Sequence, residues 1–268
     1  MFARPTPTVF TALFALFALA FALLATTASA DSASKSFPLN GFSAIELKGG
    51  SNLEVVQGDH FAVVVRGERD ALQYAKAEVR GDTLELSVDM DSKSLFGVIT
   101  VSSEPELDFQ VTLPTIHSLE VTGSGDARSA MLESEALELR VTGSGLIRLE
   151  KVAAESLNTS VTGSGDLILG TVLAVRSSAG ITGSGDLRLD KFAGEQLDVR
   201  IKGSGDMQVG GKVSNLSVNI MGSGDFVGSS LSAKNASGRI MGSGDIVLRR
   251  PVNQSFSVMG SGDVALVE

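Results

Sequence analysis

Apolar and polar residues alternate along most of residues 119–268, and the alternation repeats in the same phase every 18 to 20 residues. In one repeat, Val141 precedes Thr142, and the apolar positions resume at Ile147 and Leu149. An alternation of period two is typical of a β-strand with one buried face. A single repeat is too short to bury that face alone, so the pattern predicts stacked coils with one coil per repeat.

The tripeptide Gly-Ser-Gly marks each repeat. It begins at Gly123, Gly143, Gly163, Gly183, Gly203, Gly222, Gly242 and Gly260. If the flanking apolar residues point inward, both glycines fall on the inner side, where they suit a tight bend or a close backbone approach. A coil of about 20 residues has no room for a crossover helix. The chain is therefore predicted to be all-β, a parallel β-helix (solenoid) of about 20-residue coils, with Gly-Ser-Gly-Asp as a corner between two short strands.

The chain divides into three segments. Residues 1–30 combine Arg4, a long apolar run and the small residues Ala28-Ser29-Ala30, the pattern of a cleaved secretory signal peptide. A transmembrane anchor is the alternative interpretation of that apolar run. Residues 31–116 are predicted to be an N-terminal β region of degenerate coils that caps the solenoid. Residues 117–268 are predicted to be its eight-coil part, continuous with the N-terminal region as one domain.

Residues 45–55 keep the spacing of the repeat although the motif is degenerate. Leu47 corresponds to Val141, Gly49 to the first glycine and Asn52 to the aspartate. Four strand-like runs follow, at residues 61–65, 84–88, 98–101 and 107–113. Residues 71–79 form the one stretch with the character of a short helix.

Charge and composition exclude several functions. Cleavage after Ala30 leaves 21 basic and 31 acidic residues, a formal charge of −10. So acidic a chain repels nucleic acid and anionic lipid, and no integral membrane segment is expected after signal cleavage. The absence of cysteine excludes disulfides, thiolate metal sites and cysteine nucleophiles.

An aspartate follows Gly-Ser-Gly in seven of the eight repeats, and Leu146 is the exception. Stacked equivalents lie about 4.8 Å apart, where two carboxylates repel by about 0.8 kcal/mol in water. A calcium ladder is one interpretation, with the candidate ligands Asp166, Asp186, Asp206, Asp225, Asp245 and Asp263. Local backbone hydrogen bonding is the other, favoured because the nine-residue calcium repeat is absent. Arg128, Arg148 and Arg188 are expected to offset part of the charge without a metal.

The outward Thr, Ser and Asp positions form a candidate binding surface. Its residues are Thr122, Ser124, Asp126, Thr142, Ser144, Thr162, Ser164, Asp166, Thr182, Ser184 and Asp186. A glycan and ice are the two ligands considered. The lack of Trp and the single Tyr74 count against a glycan, because sugar rings stack on aromatic side chains. Lys202, Met221, Met241 and Met259 replace the threonines in later repeats, which counts against ice.

An enzyme on this scaffold needs an irregular cluster of acids and bases, whereas the polar residues here follow the repeat. His60 and His117 are the only histidines, and neither has the spacing of a metal site or a catalytic triad. Any catalytic cluster is therefore expected within residues 59–105, where the pattern is loosest.

Three N-terminal segments precede the repeats in a distinctive order. They are Phe42-Ser43-Ala44-Ile45-Glu46-Leu47, then residues 53–59 (LEVVQGD), then residues 81–86 (GDTLEL). Together with the Val-Thr-Gly-Ser-Gly-Asp repeats, they resemble the bacterial family described as "putative auto-transporter adhesin, head GIN domain". The resemblance covers nearly all of the chain after the signal peptide. It implies a β-helical fold, an exported location and an adhesin-like role, and it supplies no catalytic residues.

These observations predict an exported, non-enzymatic β-solenoid that is periplasmic, at the outer surface or secreted. Its expected partner is a cell-surface or envelope component such as a glycan. The alternative is a polysaccharide-binding module or carbohydrate-active enzyme on the same scaffold. Only five residues follow the final motif, so the last coil is expected to expose strand edges. Self-association through the C-terminal coils is therefore predicted, with Phe256, Val258, Val264 and Leu266 near the contact.

Overall fold

The structure is a computed structural model that describes residues 32–89 and 105–268. The predicted signal peptide and the strand-like run at residues 98–101 lie outside the described residues. The N-terminal strands are β1 (Ser32–Phe37), β2 (Ala44–Gly49), β3 (Asn52–Gln57), β4 (Ala62–Glu68), β5 (Ala75–Arg80), β6 (Thr83–Val88) and β7 (Asp108–Leu113). The repeats form β8 (Ser118–Gly123), β9 (Asp126–Ser129), β10 (Leu132–Gly143), β11 (Leu146–Gly163), β12 (Asp166–Gly183), β13 (Leu187–Gly203), β14 (Met207–Gly222), β15 (Phe226–Gly228), β16 (Leu231–Gly242), β17 (Ile246–Arg249), β18 (Asn253–Gly260) and β19 (Val264–Val267).

Successive repeats stack in parallel and in register. Val141 of β10 lies opposite Val161 of β11, which lies opposite Ile181 of β12. Each residue therefore meets its equivalent one coil away, and the backbone N–H and C=O groups of one coil are satisfied by the next. The predicted all-β parallel solenoid is confirmed.

Each complete coil has three sides. Along β11 the alternation of buried and exposed residues breaks twice, at the exposed pairs Glu150-Lys151 and Glu155-Ser156. Two consecutive exposed residues turn the strand, because alternation on a straight strand would bury one of them. Between two Gly-Ser-Gly corners the chain is thus one strand of up to 18 residues, bent twice. The prediction of two short strands per coil was wrong in this respect.

Side chains from all three sides fill the interior. In the coil of β11, Ile147, Leu149, Val152, Leu157 and Val161 are each at most 2% exposed. Burial of one such side chain contributes about 1.5–3 kcal/mol. Because each layer is covered only by its neighbours, this stabilisation requires the coils to form together.

The two glycines of each corner have different roles. Gly163 has a φ of 116°, a left-handed backbone conformation that side chains disfavour. Gly165 lies so close to the preceding coil that a Cβ atom would collide with the carbonyl oxygen of Gly145. The prediction that these glycines permit a bend and a close backbone approach is confirmed.

The N-terminal strands extend the stack in an order that differs from their order in the chain. β2 lies between β6 and β8, and β3 lies between β7 and β9. Leu47 is opposite Val121 and Asn52 is opposite Asp126, as the spacing predicted. The layer of β6 and β7 is therefore farther from the repeats than the layer of β2 and β3.

Beyond this layer the pairing becomes antiparallel. β4 pairs with β7 and with β1, and β5 pairs with β6. A 3-10 turn at Ala71–Tyr74 precedes β5, so the prediction of a helix over residues 71–79 was wrong. Residues 75–80 form a strand because every second side chain faces the core, beginning with the buried Ala75.

Candidate binding surface

The aspartate column lies on the outside of the solenoid, just after the Gly-Ser-Gly corner. In the later coils each carboxylate accepts a hydrogen bond from the backbone N–H of the next aspartate. These five bonds run from Asp186 N to Asp166, Asp206 N to Asp186, Asp225 N to Asp206, Asp245 N to Asp225 and Asp263 N to Asp245, over 2.7–3.2 Å. The carboxylates therefore accept hydrogen bonds from backbone N–H groups of the corner. We call the six residues involved the aspartate ladder: Asp166, Asp186, Asp206, Asp225, Asp245 and Asp263.

The first corners close differently. The N–H of Leu146 donates to the carbonyl of Gly125 over 3.1 Å, and that of Asp166 donates to Gly145 over 2.9 Å. Among the described corners, the ladder bond occurs only where one aspartate stacks on another. The described residues contain no group of three or more acidic or histidine side chains arranged to hold a metal ion.

The threonine column occupies the outer side immediately before the corner. Thr122, Thr142, Thr162 and Thr182 lie opposite one another in β8, β10, β11 and β12. The serines that follow them, Ser124, Ser144, Ser164 and Ser184, are exposed at the corner itself. Asp126, Asp166 and Asp186 are exposed on the next side. The structure thus brings the predicted surface residues together as three parallel outer rows around one corner.

In the later coils, other residue types occupy the position of the threonine column. Lys202 lies opposite Thr182, and Met221, Met241 and Met259 follow in register. Met221 is 49% exposed and Met259 is 53% exposed. We call the three methionines the methionine strip. Met221 and Met241 line a shallow pocket of about 190 Å³ together with Arg200, Lys202 and Arg239.

Comparison with known proteins identifies the family. The family described as "putative auto-transporter adhesin, head GIN domain" matches residues 41–176 and 170–267. The chain belongs to this family. A comparison with curated protein sequences gives no match.

Solved structures share the head GIN fold seen here. A "putative lipid binding protein" from Parabacteroides distasonis has a TM-score of 0.78 and 22% identity, and the match covers 90% of this chain and 98% of that one. A "putative adhesin" from Parabacteroides merdae has a TM-score of 0.75 and 17% identity, with the same coverage. The names of the family and of these neighbours are those of adhesins and binding proteins, not of enzymes.

The arginines of this head GIN chain, which were expected to offset part of the aspartate charge, form no ion pair with the aspartate ladder among the described residues. Arg128 lies 3.7 Å from Glu54, and Arg188 forms its ion pair with Asp190. No ion pair within the described residues involves Arg148. Backbone N–H groups, and not arginines, are the partners of the ladder carboxylates.

The two histidines lie apart on the surface of the N-terminal region. His60 Nδ1 is 2.8 Å from Asp59, and His117 Nε2 is 2.8 Å from Asp82. The hydrogen bond with His117 lowers the pKa of the exposed Asp82 carboxyl below its ordinary value. Ser43 donates to Asp82 and not to the imidazole, so this cluster lacks the contact that would activate a serine nucleophile. In the described part of residues 59–105, Asp82 is the one residue that forms a side-chain hydrogen bond with His117.

No helix among the described residues is both long enough and apolar enough to span a membrane.

Proposed function

We propose that this chain is an exported, non-enzymatic adhesin-like scaffold that binds a glycan of the cell surface or envelope along its threonine column. The observation that carries the proposal is the repetition of one hydroxyl-bearing residue in the same position over four consecutive coils. Hydroxyl groups about 4.8 Å apart along the stack form a regular array of donors and acceptors. A polymer with regularly spaced hydroxyl groups can meet such an array at several points at once.

A glycan array tests this proposal. Thr142→Val together with Thr162→Val removes two hydroxyl groups from the column and keeps the branched shape of the side chains. We expect binding of the positive glycan to weaken by about tenfold, since each lost hydrogen bond is worth about 0.5–1.5 kcal/mol. Thr112→Val with Thr171→Val is the matched control and should bind like the unchanged chain. Equal loss in both double variants would contradict a site on the column.

A carbohydrate-active enzyme is the competing proposal. Incubation of the chain with a glycan that it binds distinguishes the enzyme from the binding scaffold. A binding scaffold leaves a positive glycan intact on long incubation. Release of new reducing ends, abolished by His117→Ala, would contradict the non-enzymatic function. His60→Ala removes the other histidine and serves as the control.

Export is proposed to depend on residues 1–30. N-terminal sequencing of the chain recovered from outside the cytoplasm should begin at Asp31. Retention of residues 1–30 in the exported chain would support a membrane anchor instead, and recovery from the periplasm or the medium would identify the compartment.

We also propose that a second copy covers the last coil. β18 pairs with β16 and β19 pairs with β17, and Val258 is 41% exposed whereas its neighbour Ile240 is 1% exposed. Leu266 and Val264 are half-buried, and Phe256 lies over Gly238. Leu266→Lys should reduce association measured by light scattering. A chain that stays monomeric at high concentration, with or without this change, would contradict the proposal.

A further inference from the structure

Two outer surfaces of the molecule are opposite in charge, and each has an apolar centre. The first is a groove of about 690 Å³ in β10–β13, which we call the acidic groove. Glu133, Glu135, Glu155 and Glu195 line it. At its centre Leu173 is 54% exposed and Val175 is 38% exposed. Large apolar side chains exposed next to one another are typical of a binding site.

Most charges on the two surfaces have no partner within the molecule. Glu155 pairs with Arg176 over 2.9 Å. No ion pair within the described residues involves the other three groove glutamates, nor Arg200, Lys202 or Arg239 beside the methionine strip. Both surfaces therefore retain charges that an external partner can satisfy.

The charge of the solenoid also changes sign along the stack. Residues 105–199 contain seven basic and 14 acidic residues, a formal charge of −7. Residues 200–268 contain seven basic and five acidic residues, a formal charge of +2. The acidic groove lies in the first segment and the methionine strip in the second. The parts of the solenoid that surround the two surfaces are therefore also opposite in charge.

The two surfaces also match in spacing, because both run along the stack and share its repeat of about 4.8 Å. The groove begins at β10, and the basic residues beside the strip begin at β13 with Arg200 and Lys202, three coils later. A second molecule placed parallel to the first and shifted by three coils, about 14 Å, brings Arg200 and Lys202 opposite Glu133 and Glu135. The same shift brings the methionines along the apolar floor of the groove.

We propose that the methionine strip of one copy docks in the acidic groove of a second copy. The unbranched methionine side chains adapt to an irregular groove, and the flanking cations meet the unpaired glutamates. The contact joins different surfaces of the two molecules, so the first copy keeps its groove free and the second copy keeps its strip free. Repetition of the contact builds an open row of staggered solenoids. This proposal does not depend on the glycan site or on the contact at the last coil.

A second copy fits these surfaces better than an anionic membrane does. The chain has a formal charge of −9, and the aspartate ladder lies around the corner from the methionine strip. Both features repel anionic lipid, whereas the acidic groove offers the strip a partner of opposite charge.

Sedimentation of the purified chain at several concentrations and two ionic strengths is the first test. We expect the average mass to rise with concentration at low salt and to fall at high salt, because salt screens the exposed ion pairs. The strip variant Lys202→Glu with Arg239→Glu should weaken association by roughly tenfold or more. The control Arg249→Glu with Arg250→Glu makes the same change in charge in the later coils and should leave association unchanged.

A charge exchange makes the test specific. The groove variant Glu135→Lys with Glu195→Lys should associate as weakly as the strip variant when each is measured alone. An equimolar mixture of the two variants should recover association, because the acidic groove of one meets the basic strip of the other. Thermal unfolding of each variant should match that of the unchanged chain, since all four altered residues are exposed.

Three results would overturn the proposal. The first is a chain that stays monomeric at low salt and high concentration. The second is association that Leu266→Lys abolishes and the strip variant does not, which assigns the contact to the last coil. The third is a monomeric chain that sediments with phosphatidylglycerol vesicles but not with phosphatidylcholine vesicles, and loses this binding in the strip variant. That result would make a membrane the occupant of the strip.

Discussion

The early and late corners of the solenoid share one sequence motif but close in two ways. At Leu146 and Asp166, the backbone N–H donates to a glycine carbonyl of the neighbouring coil, and the next strand starts at that residue. From Asp186 onward, the N–H donates to the carboxylate of the neighbouring aspartate. The next strand then starts one residue later, at Leu187 in the first such case.

This difference shows that the glycines and the aspartate of the motif have separate roles. Both kinds of corner contain the two glycines, with a positive φ at the first and a close approach to the neighbouring coil at the second. The ladder bond is present only where aspartates stack, and the corner at Leu146 closes without it. The glycines are therefore required for the bend, and the aspartate supplies an additional hydrogen bond to a backbone that is already bent.

The largest expected effect is the loss of a close glycine in either kind of corner. Gly165→Ala and Gly244→Ala each place a Cβ atom against a carbonyl oxygen of the preceding coil. We expect each to lower the free energy of unfolding by about 1–3 kcal/mol or more, because the stacked backbone cannot move away. Gly180→Ala is the control, since its Cβ atom would have no neighbour closer than 4.0 Å. Denaturant unfolding measures all three, and a tolerated alanine at position 165 would contradict this account.

The next effect separates the late corners from the early ones. Asp206→Ala removes the acceptor of the Asp225 N–H, and we expect it to cost about 1 kcal/mol of stability. Asp126→Ala removes a carboxylate that accepts no N–H from the corner stacked on it, and should change stability by less than about 0.5 kcal/mol. Equal costs in the two variants, measured by denaturant unfolding, would mean that the ladder bond adds nothing.

Removal of divalent cations should have little effect on either kind of corner. Because the ladder carboxylates are already hydrogen-bonded to backbone N–H groups, we expect the melting temperature to be the same with and without a chelator. A bound ion would raise it by linkage. A clear drop on chelation, reversed by calcium, would instead identify the ladder as a calcium site.

The smallest effect comes from converting an early corner into a late one. Leu146→Asp stacks an aspartate on Asp126 and beneath Asp166, so the ladder should extend by two bonds. We expect the amide of Asp166 to change its acceptor from the Gly145 carbonyl to the new carboxylate, with little change in stability. The chemical shift and hydrogen exchange of this amide measure the switch. An unchanged Asp166 amide would show that stacked aspartates alone do not determine the corner.

Much of the repeating architecture could be predicted from local sequence. The period-two alternation and the recurring glycines determine strands, corners and a coil of about 20 residues. Even the degenerate motif at Leu47 and Asn52 aligns with the repeats as its spacing predicted. These features can be predicted because a residue in a solenoid contacts the equivalent residue one coil away. The positions that recur along the sequence are therefore the positions that contact one another in the fold.

The predicted surface residues were also placed correctly on the outside, but their partners were not predictable. The partner of each ladder carboxylate is a backbone N–H one coil away, and no side-chain pattern marks it. The spacing of the arginines suggested only that they offset part of the aspartate charge. The acidic groove lacked a sequence signal, because Glu135, Leu173 and Glu195 belong to three different repeats.

The sequence by itself therefore determined the length of the coil, its Gly-Ser-Gly corners and the inward or outward direction of the side chains that flank those corners. The tertiary structure alone decided that the layer of β6 and β7 lies on the far side of β2 and β3 from the repeats. It also decided that β4 and β5 pair with this layer in the antiparallel direction. It also decided which charges remain unpaired on the acidic groove and beside the methionine strip. The physical reason is that alternation and glycine conformation act within a few residues of the chain. Layer order and charge pairing depend on contacts between residues that are distant in sequence, and many such arrangements are compatible with the same local pattern.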